Sequence, residues 1–147
     1  MGKIVGATLL LGMVAGFVTI LIVAARFQRR QQERRDELSY RRWQQMNIMR
    51  ERSPGAELVV VDQVYQRARR GCKAVIVWQR SGIAQDSWFE GMHLLPGDLL
   101  LVRGSSGWGP HNNNPNVFYV GRGQVLSVLP RSVQAGAARH RHGLAAA

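Results

Sequence analysis

The chain has 147 residues and a formal net charge of +11, with eighteen arginines and two lysines against nine acidic side chains. Such an excess favours anionic lipid, nucleic acid or acidic protein partners and disfavours cationic ones. A single cysteine, Cys72, rules out an internal disulfide, suits a reducing compartment and is expected to serve as a small buried hydrophobe.

The first element is a run of twenty-two uncharged, mostly apolar residues from Ile4 to Ala25. As a helix it is about 33 Å long, enough to cross a hydrocarbon core of about 30 Å. Residues 1–25 are therefore predicted to form a transmembrane anchor. A signal peptide would have a shorter apolar region and a more basic start, and myristoylation wants Ser or Thr where Gly6 stands. Gly12 and Gly16 make a Gly-x-x-x-Gly pair suited to close helix packing. No ionisable group lies within the run, so nothing there points to a proton or ion path.

Arg26, Arg29, Arg30, Arg34 and Arg35 crowd the far side of this run, whereas only Lys3 precedes it. The positive-inside rule then places the carboxy-terminal part in the cytoplasm, or on the matrix or stromal side of an organelle. The same five arginines form a basic membrane-surface group able to attract acidic headgroups. Residues 26–55 are predicted to be a basic juxtamembrane helix and linker, because no Gly or Pro interrupts them before Ser53-Pro54-Gly55. One rod over residues 4–52 is the expectation, supported by Glu37 and Arg41 at i, i+4. Leu38, Tyr40, Trp43, Met46, Ile48 and Met49 keep no strict three-four spacing, so a long coiled coil is weakly supported. Tyr40 and Trp43 read as a docking edge for a neighbouring chain or for this chain's own distal domain.

Residues 56–133 are predicted to be a small β-rich soluble domain with one helix. The helix is placed at residues 62–70, with Asp62 as N-cap and Gly71 as a left-handed terminator. Strands are expected at residues 73–79, 87–90, 99–103, 117–120 and 125–129. Leu95-Pro96-Gly97-Asp98 suits a type II turn, and Gly121-Arg122-Gly123-Gln124 is a second tight connection. Residues 73–79 and 99–102 are apolar on both faces, as a central or barrel strand allows.

No catalytic, cofactor or metal constellation is legible. His93 and His111 are isolated, His140 and His142 lie in the tail, and Gly104-Ser105-Ser106-Gly107 lacks the lysine and helix of a phosphate loop. In Trp108-Gly-Pro-His-Asn-Asn-Asn-Pro-Asn116, an aromatic, an imidazole and several amides cluster, so Trp88, Trp108 and His111 are the candidate partner-binding rim. Residues 134–147, basic and without periodic apolar positions, are expected to be a disordered tail.

The expected fold class is an α+β membrane protein. One amino-terminal transmembrane helix continues into a long basic helix and then into a partly open barrel or curved sheet. The expected function is a non-enzymatic, single-pass accessory or scaffold subunit that anchors or assembles a larger membrane protein complex. The alternative is a membrane-tethered binding module for anionic lipid or nucleic acid. Expected partners are membrane lipids, other membrane protein subunits and a second copy of the chain. Nucleic acid is disfavoured by the lack of a base-stacking platform, and no small-molecule substrate or cofactor is inferred.

Overall fold

A computed structural model describes residues 2–106 and 116–145, excepting the side chains of residues 2–16, 105 and 106. The first element is one uninterrupted helix, α1 (Gly2–Glu51), as the absence of Gly and Pro from residues 17–53 allows. Arg41 Nη2 stands 2.6 Å from Glu37 Oε1 along it. It ends where expected: Ser53 N–H donates to Arg50 O, Ala56 N–H donates to Ser53 O, and Gly55 takes φ of 78°.

Among the described residues seven strands follow: β1 (Glu57–Ala68), β2 (Gly71–Trp78), β3 (Ala84–Glu90), β4 (Leu99–Val102), β5 (Ser105–Ser106), β6 (Phe118–Val120) and β7 (Val125–Leu129). They form one curled sheet in the order β5-β6-β3-β2-β1-β4-β7. All neighbours are antiparallel except β3 and β6, which run parallel. The coarse expectation of an α+β chain with a long helix and a half-barrel sheet is met. The Leu95–Asp98 turn is also met, with Asp98 N–H donating to Leu95 O and Gly97 at φ 88°.

The predicted helix at residues 62–70 is not there. That stretch belongs to β1, and a two-residue turn at Arg69-Arg70 leads into β2. The reason lies in two register irregularities, between Val61 and Gln63 and between Val64 and Gln66. Each inserts an extra residue, so inward positions fall at Val59, Val61 and Val64, opposite Trp78, Ile76 and Ala74, and the exposed Arg67 follows opposite Cys72. The three-residue steps so produced imitate helical spacing. The bulge residue Tyr65 points outward and donates its hydroxyl to Asp86 of β3; burial and then this carboxylate push its phenol up to about 12.

The concave face of the sheet holds the main core, with Val59, Val61, Ala74, Ile76, Phe89, Leu100, Phe118 and Val120 in one cluster. Cys72 sits fully buried in this core as a small hydrophobe. The apolar doubling of Leu99–Val102 has a direct cause. Leu100 and Val102 face the concave core, while Leu101 turns the other way to meet Met46 of α1 and Leu129 of β7.

The tail is a second correction. Residues 131–145 are not disordered but form α2 (Arg131–Ala145), which packs back along α1. Its only buried residues are Gly136 and Ala137, so it carries no apolar stripe for periodicity to detect.

Among the described residues no helix is long and apolar enough to cross a membrane. Of the run Ile4–Ala25, the side chains of residues 4–16 lie outside the described ones, and with them the surroundings of Gly12 and Gly16. The described remainder is exposed: Phe17, Val18, Ile20, Leu21, Ile22 and Val23 are all open to solvent on α1.

Candidate functional site: the junction of the two helices

Trp43 packs against the Met46, Leu101 and Leu129 cluster shared with the β-domain, but the rings of Tyr40 and Trp43 are chiefly covered by α2, the tail that was expected to be disordered. The two rings stack with centroids 6.1 Å apart, His140 leans on Tyr40 at 5.1 Å, and the Arg141 guanidinium lies 4.7 Å over Trp43. Beside them Arg139 makes a two-pronged bond to Asp36, Nε to Oδ2 at 3.0 Å and Nη2 to Oδ1 at 2.8 Å. Gln32 Nε2 donates a further bond to Asp36 Oδ1.

α2 also touches the sheet. Gln134 Nε2 donates to Gly97 O at 2.8 Å and to Leu129 O at 2.9 Å, so one amide ties α2 to the β3–β4 turn and to the end of β7. Helix, sheet and tail are thereby joined at a single place. Among the described residues, no buried side-chain nitrogen or oxygen lacks a partner.

An open cleft of about 580 Å³ lies at this junction, lined among others by Arg30, Arg34 and Arg139 and by Glu33, Asp36 and Glu37. Its three cations face three carboxylates, so the cleft has no net charge with which to select an anion. A second open cleft of about 380 Å³ lies at the mouth of the sheet, beside Trp78, Gln85 and Phe118. There Trp78 Nε1 donates to Gln85 Oε1 at 2.8 Å and meets Phe118 edge-on at 4.8 Å. Its most distinctive polar groups are thus engaged with each other.

The Asp36 carboxyl is held below the ordinary carboxylate value of 3.8, chiefly by the Arg139 hydrogen bond, against a smaller opposing effect of burial. A carboxyl depressed in the folded state stabilises that state above its ordinary value and loses the contribution as pH falls through the depressed one. Acidification below about pH 4 is therefore expected to loosen α2 from α1. The near-ultraviolet dichroism of the Tyr40–Trp43 cluster reports the step, and Asp36→Asn should abolish its pH dependence.

Of the residues singled out in the sequence, Arg26, Arg29, Arg30, Arg34 and Arg35 are all exposed along α1. Trp88 is half-buried on the convex face of β3, in register with Lys73 and Tyr119. Trp108 and His111 lie outside the described residues, so the proposed rim is represented by Trp88 alone. Among the described residues no three His, Cys, Asp or Glu side chains gather as metal ligands would. Asp36, Ser39, Gly136 and Arg139, which build the junction, were missed. The small run Ala135-Gly136-Ala137-Ala138 was the one available signal of close helix approach. Comparison with protein-family models, curated proteins and solved structures finds no match for this chain.

Proposed function

We propose that this chain is a non-enzymatic, single-pass membrane subunit that anchors and assembles a larger membrane protein complex. The observation that carries this reading is the unbroken helix α1, which runs from the apolar segment into the arginine-rich segment and on to the β-domain. Six large apolar side chains between Phe17 and Val23 stand exposed on it. An uncovered patch of that density in water is unfavourable and calls for lipid or protein around it. The arginines that follow supply the basic flank that orients such a helix, with the β-domain on the cytoplasmic, matrix or stromal side. The junction of α1, α2 and the sheet supports a spacing role, because it fixes the domain on the rod by several independent contacts.

The test is extraction of native membranes with alkaline carbonate. Wild-type chain is expected to stay in the pellet, while Val18→Arg combined with Leu21→Arg moves it to the supernatant, since a charge inside a span costs up to about 3 kcal/mol, the most at its centre. Release of the wild-type chain by carbonate would refute the span. Native mass spectrometry of gently solubilised membranes tests assembly, and recovery of a lone monomer is the refuting result there.

A further inference from the structure

With α2 and the sheet covering one side of α1, the opposite side has a composition of its own. At about 100° per residue, Phe27, Leu38 and Met49 fall about 180–220° round the helix from Asp36, the residue that meets α2. They follow at steps of eleven residues and are 62%, 59% and 40% exposed. Arg34 and Arg41 run beside them at about 140–160°, both exposed, although Arg34 also lines the edge of the cleft against α2 and Arg41 is bonded to Glu37, and Arg52 follows in line just past the end of α1. The four acidic residues of this stretch, Glu33, Asp36, Glu37 and Glu51, all lie within about 100° of the covered side. The outward face is therefore a line of spaced apolar side chains bordered by net positive charge, with Glu37 at its edge the one acid that reaches a bordering arginine.

We propose that this face receives a helix of another protein, one with its own apolar line flanked by Asp or Glu. The inference rests on the reading of the chain as an assembly subunit and names the chemistry of the partner. Charge selects the class. A second copy of α1 would bring arginine against arginine, whereas an acidic helix is attracted and oriented. Length separates a helix from a lipid surface. From Phe27 to Met49 the line extends about 33 Å along α1, and headgroups beside the apolar run would reach only its first turns. The apolar line separates a helix from nucleic acid, which offers nothing to seat regularly spaced Phe, Leu and Met. An eleven-residue repeat packs with a slight right-handed crossing, so the partner helix should wrap in that sense. Three apolar contacts over such a length set register, and the arginines supply attraction.

The experiment uses the full chain in phosphatidylcholine nanodiscs, where headgroup attraction is absent, and a labelled synthetic helix with Leu at eleven-residue steps flanked by Glu. Fluorescence anisotropy should show this peptide binding at least tenfold tighter than an isomer of equal composition with its Leu residues scattered round the helix. Leu38→Asn should weaken it severalfold. Arg34→Glu with Arg52→Glu should abolish it and transfer preference to a second peptide with the same Leu line flanked by Lys in place of Glu, a gain that a misfolded variant cannot show. Equal binding of aligned and scattered peptides would overturn the proposal. So would polyuridylate binding that competes fully and ignores Leu38→Asn, which marks a polyanion surface, or a dimer in sedimentation equilibrium that Leu38→Asn dissolves, which marks a second copy. Carbonate extraction responds to the span and not to this face, so failure of either reading is distinguishable.

Discussion

Gly71→Ala is expected to unfold the β-domain or leave it only marginally stable. Gly71 has φ of 152°, and a Cβ built there would stand 2.0 Å from Phe89 O and 3.2 Å from Glu90 Cα. Both obstacles are backbone of β3, and Gly71 and Cys72 pair with Glu90 and Phe89 across the β2–β3 ladder. Relief therefore requires the strands to part, directly over the buried Phe89 ring. Overpacking of this kind costs roughly 1–3 kcal/mol and an unsuitable φ of order 1–3 kcal/mol, together a large share of the roughly 5–15 kcal/mol that holds a domain. Urea unfolding of the full chain in mild detergent, followed by tryptophan fluorescence, gives the measure. Gly82→Ala separates the two causes, because Gly82 has φ of 70° but nothing within 4 Å of an added Cβ. It should show only the conformational cost, about 1 kcal/mol. A Gly71→Ala midpoint no lower than that of Gly82→Ala would contradict the collision.

The same position shows where the sequence is legible and where it is not. Gly71 reads as a helix terminator in the sequence because Val61, Val64, Tyr65 and Ala68 before it also fit a helical face. The bulges of β1 produce the Val61–Val64 step of that face, Tyr65 being itself an outward bulge residue, and a bulge leaves no composition signature apart from its partner strand. The long rod, the double-sided apolar strand Leu99–Val102 and the Leu95–Asp98 turn were readable because each rests on local chemistry: propensity, alternation, and the φ restrictions of Pro and Gly. The junction was only half readable. Tyr40 and Trp43 signalled a docking edge, but their ring and cation partners His140 and Arg141 lie about a hundred residues away, in a tail without an apolar stripe. Pairing by guanidinium, imidazole and a glycine gap carries no period. It is visible only when both helices are present.

Gly136→Val is expected to detach α2 from α1 while the β-domain stays folded. A Cβ at Gly136 would lie 2.7 Å from Ser39 Oγ, 2.9 Å from Ser39 Cβ and 3.0 Å from Asp36 Oδ1. None of these neighbours has easy room to yield: the Ser39 hydroxyl donates to Arg35 O, and the Asp36 carboxylate is gripped by Arg139 and Gln32. Helix propensity predicts that Gly136→Ala stabilises α2 by about 1 kcal/mol, whereas the contact predicts the opposite, so the sign decides between them. Gly143→Ala is the control on the same helix, since nothing lies within 4 Å of an added Cβ there, and it should stabilise by up to about 1 kcal/mol. Ser39→Gly, made together with Gly136→Ala, removes the obstructing atoms and should restore docking more than the sum of the single changes allows. A fifteen-residue helix without its partner is marginal in water, so detachment appears as rapid hydrogen exchange across Arg131–Ala145 with the sheet amides still protected. The sheet keeps its own hold on α1 through Met46, Leu101 and Leu129, so the loss should stop at the junction. Because α2 occupies the side of α1 opposite Leu38, Gly136→Val should leave binding of the acidic helix unchanged. If instead that binding falls in parallel with α2 protection, the two faces of α1 are not independent, and the rod transmits the state of its tail to whatever it assembles.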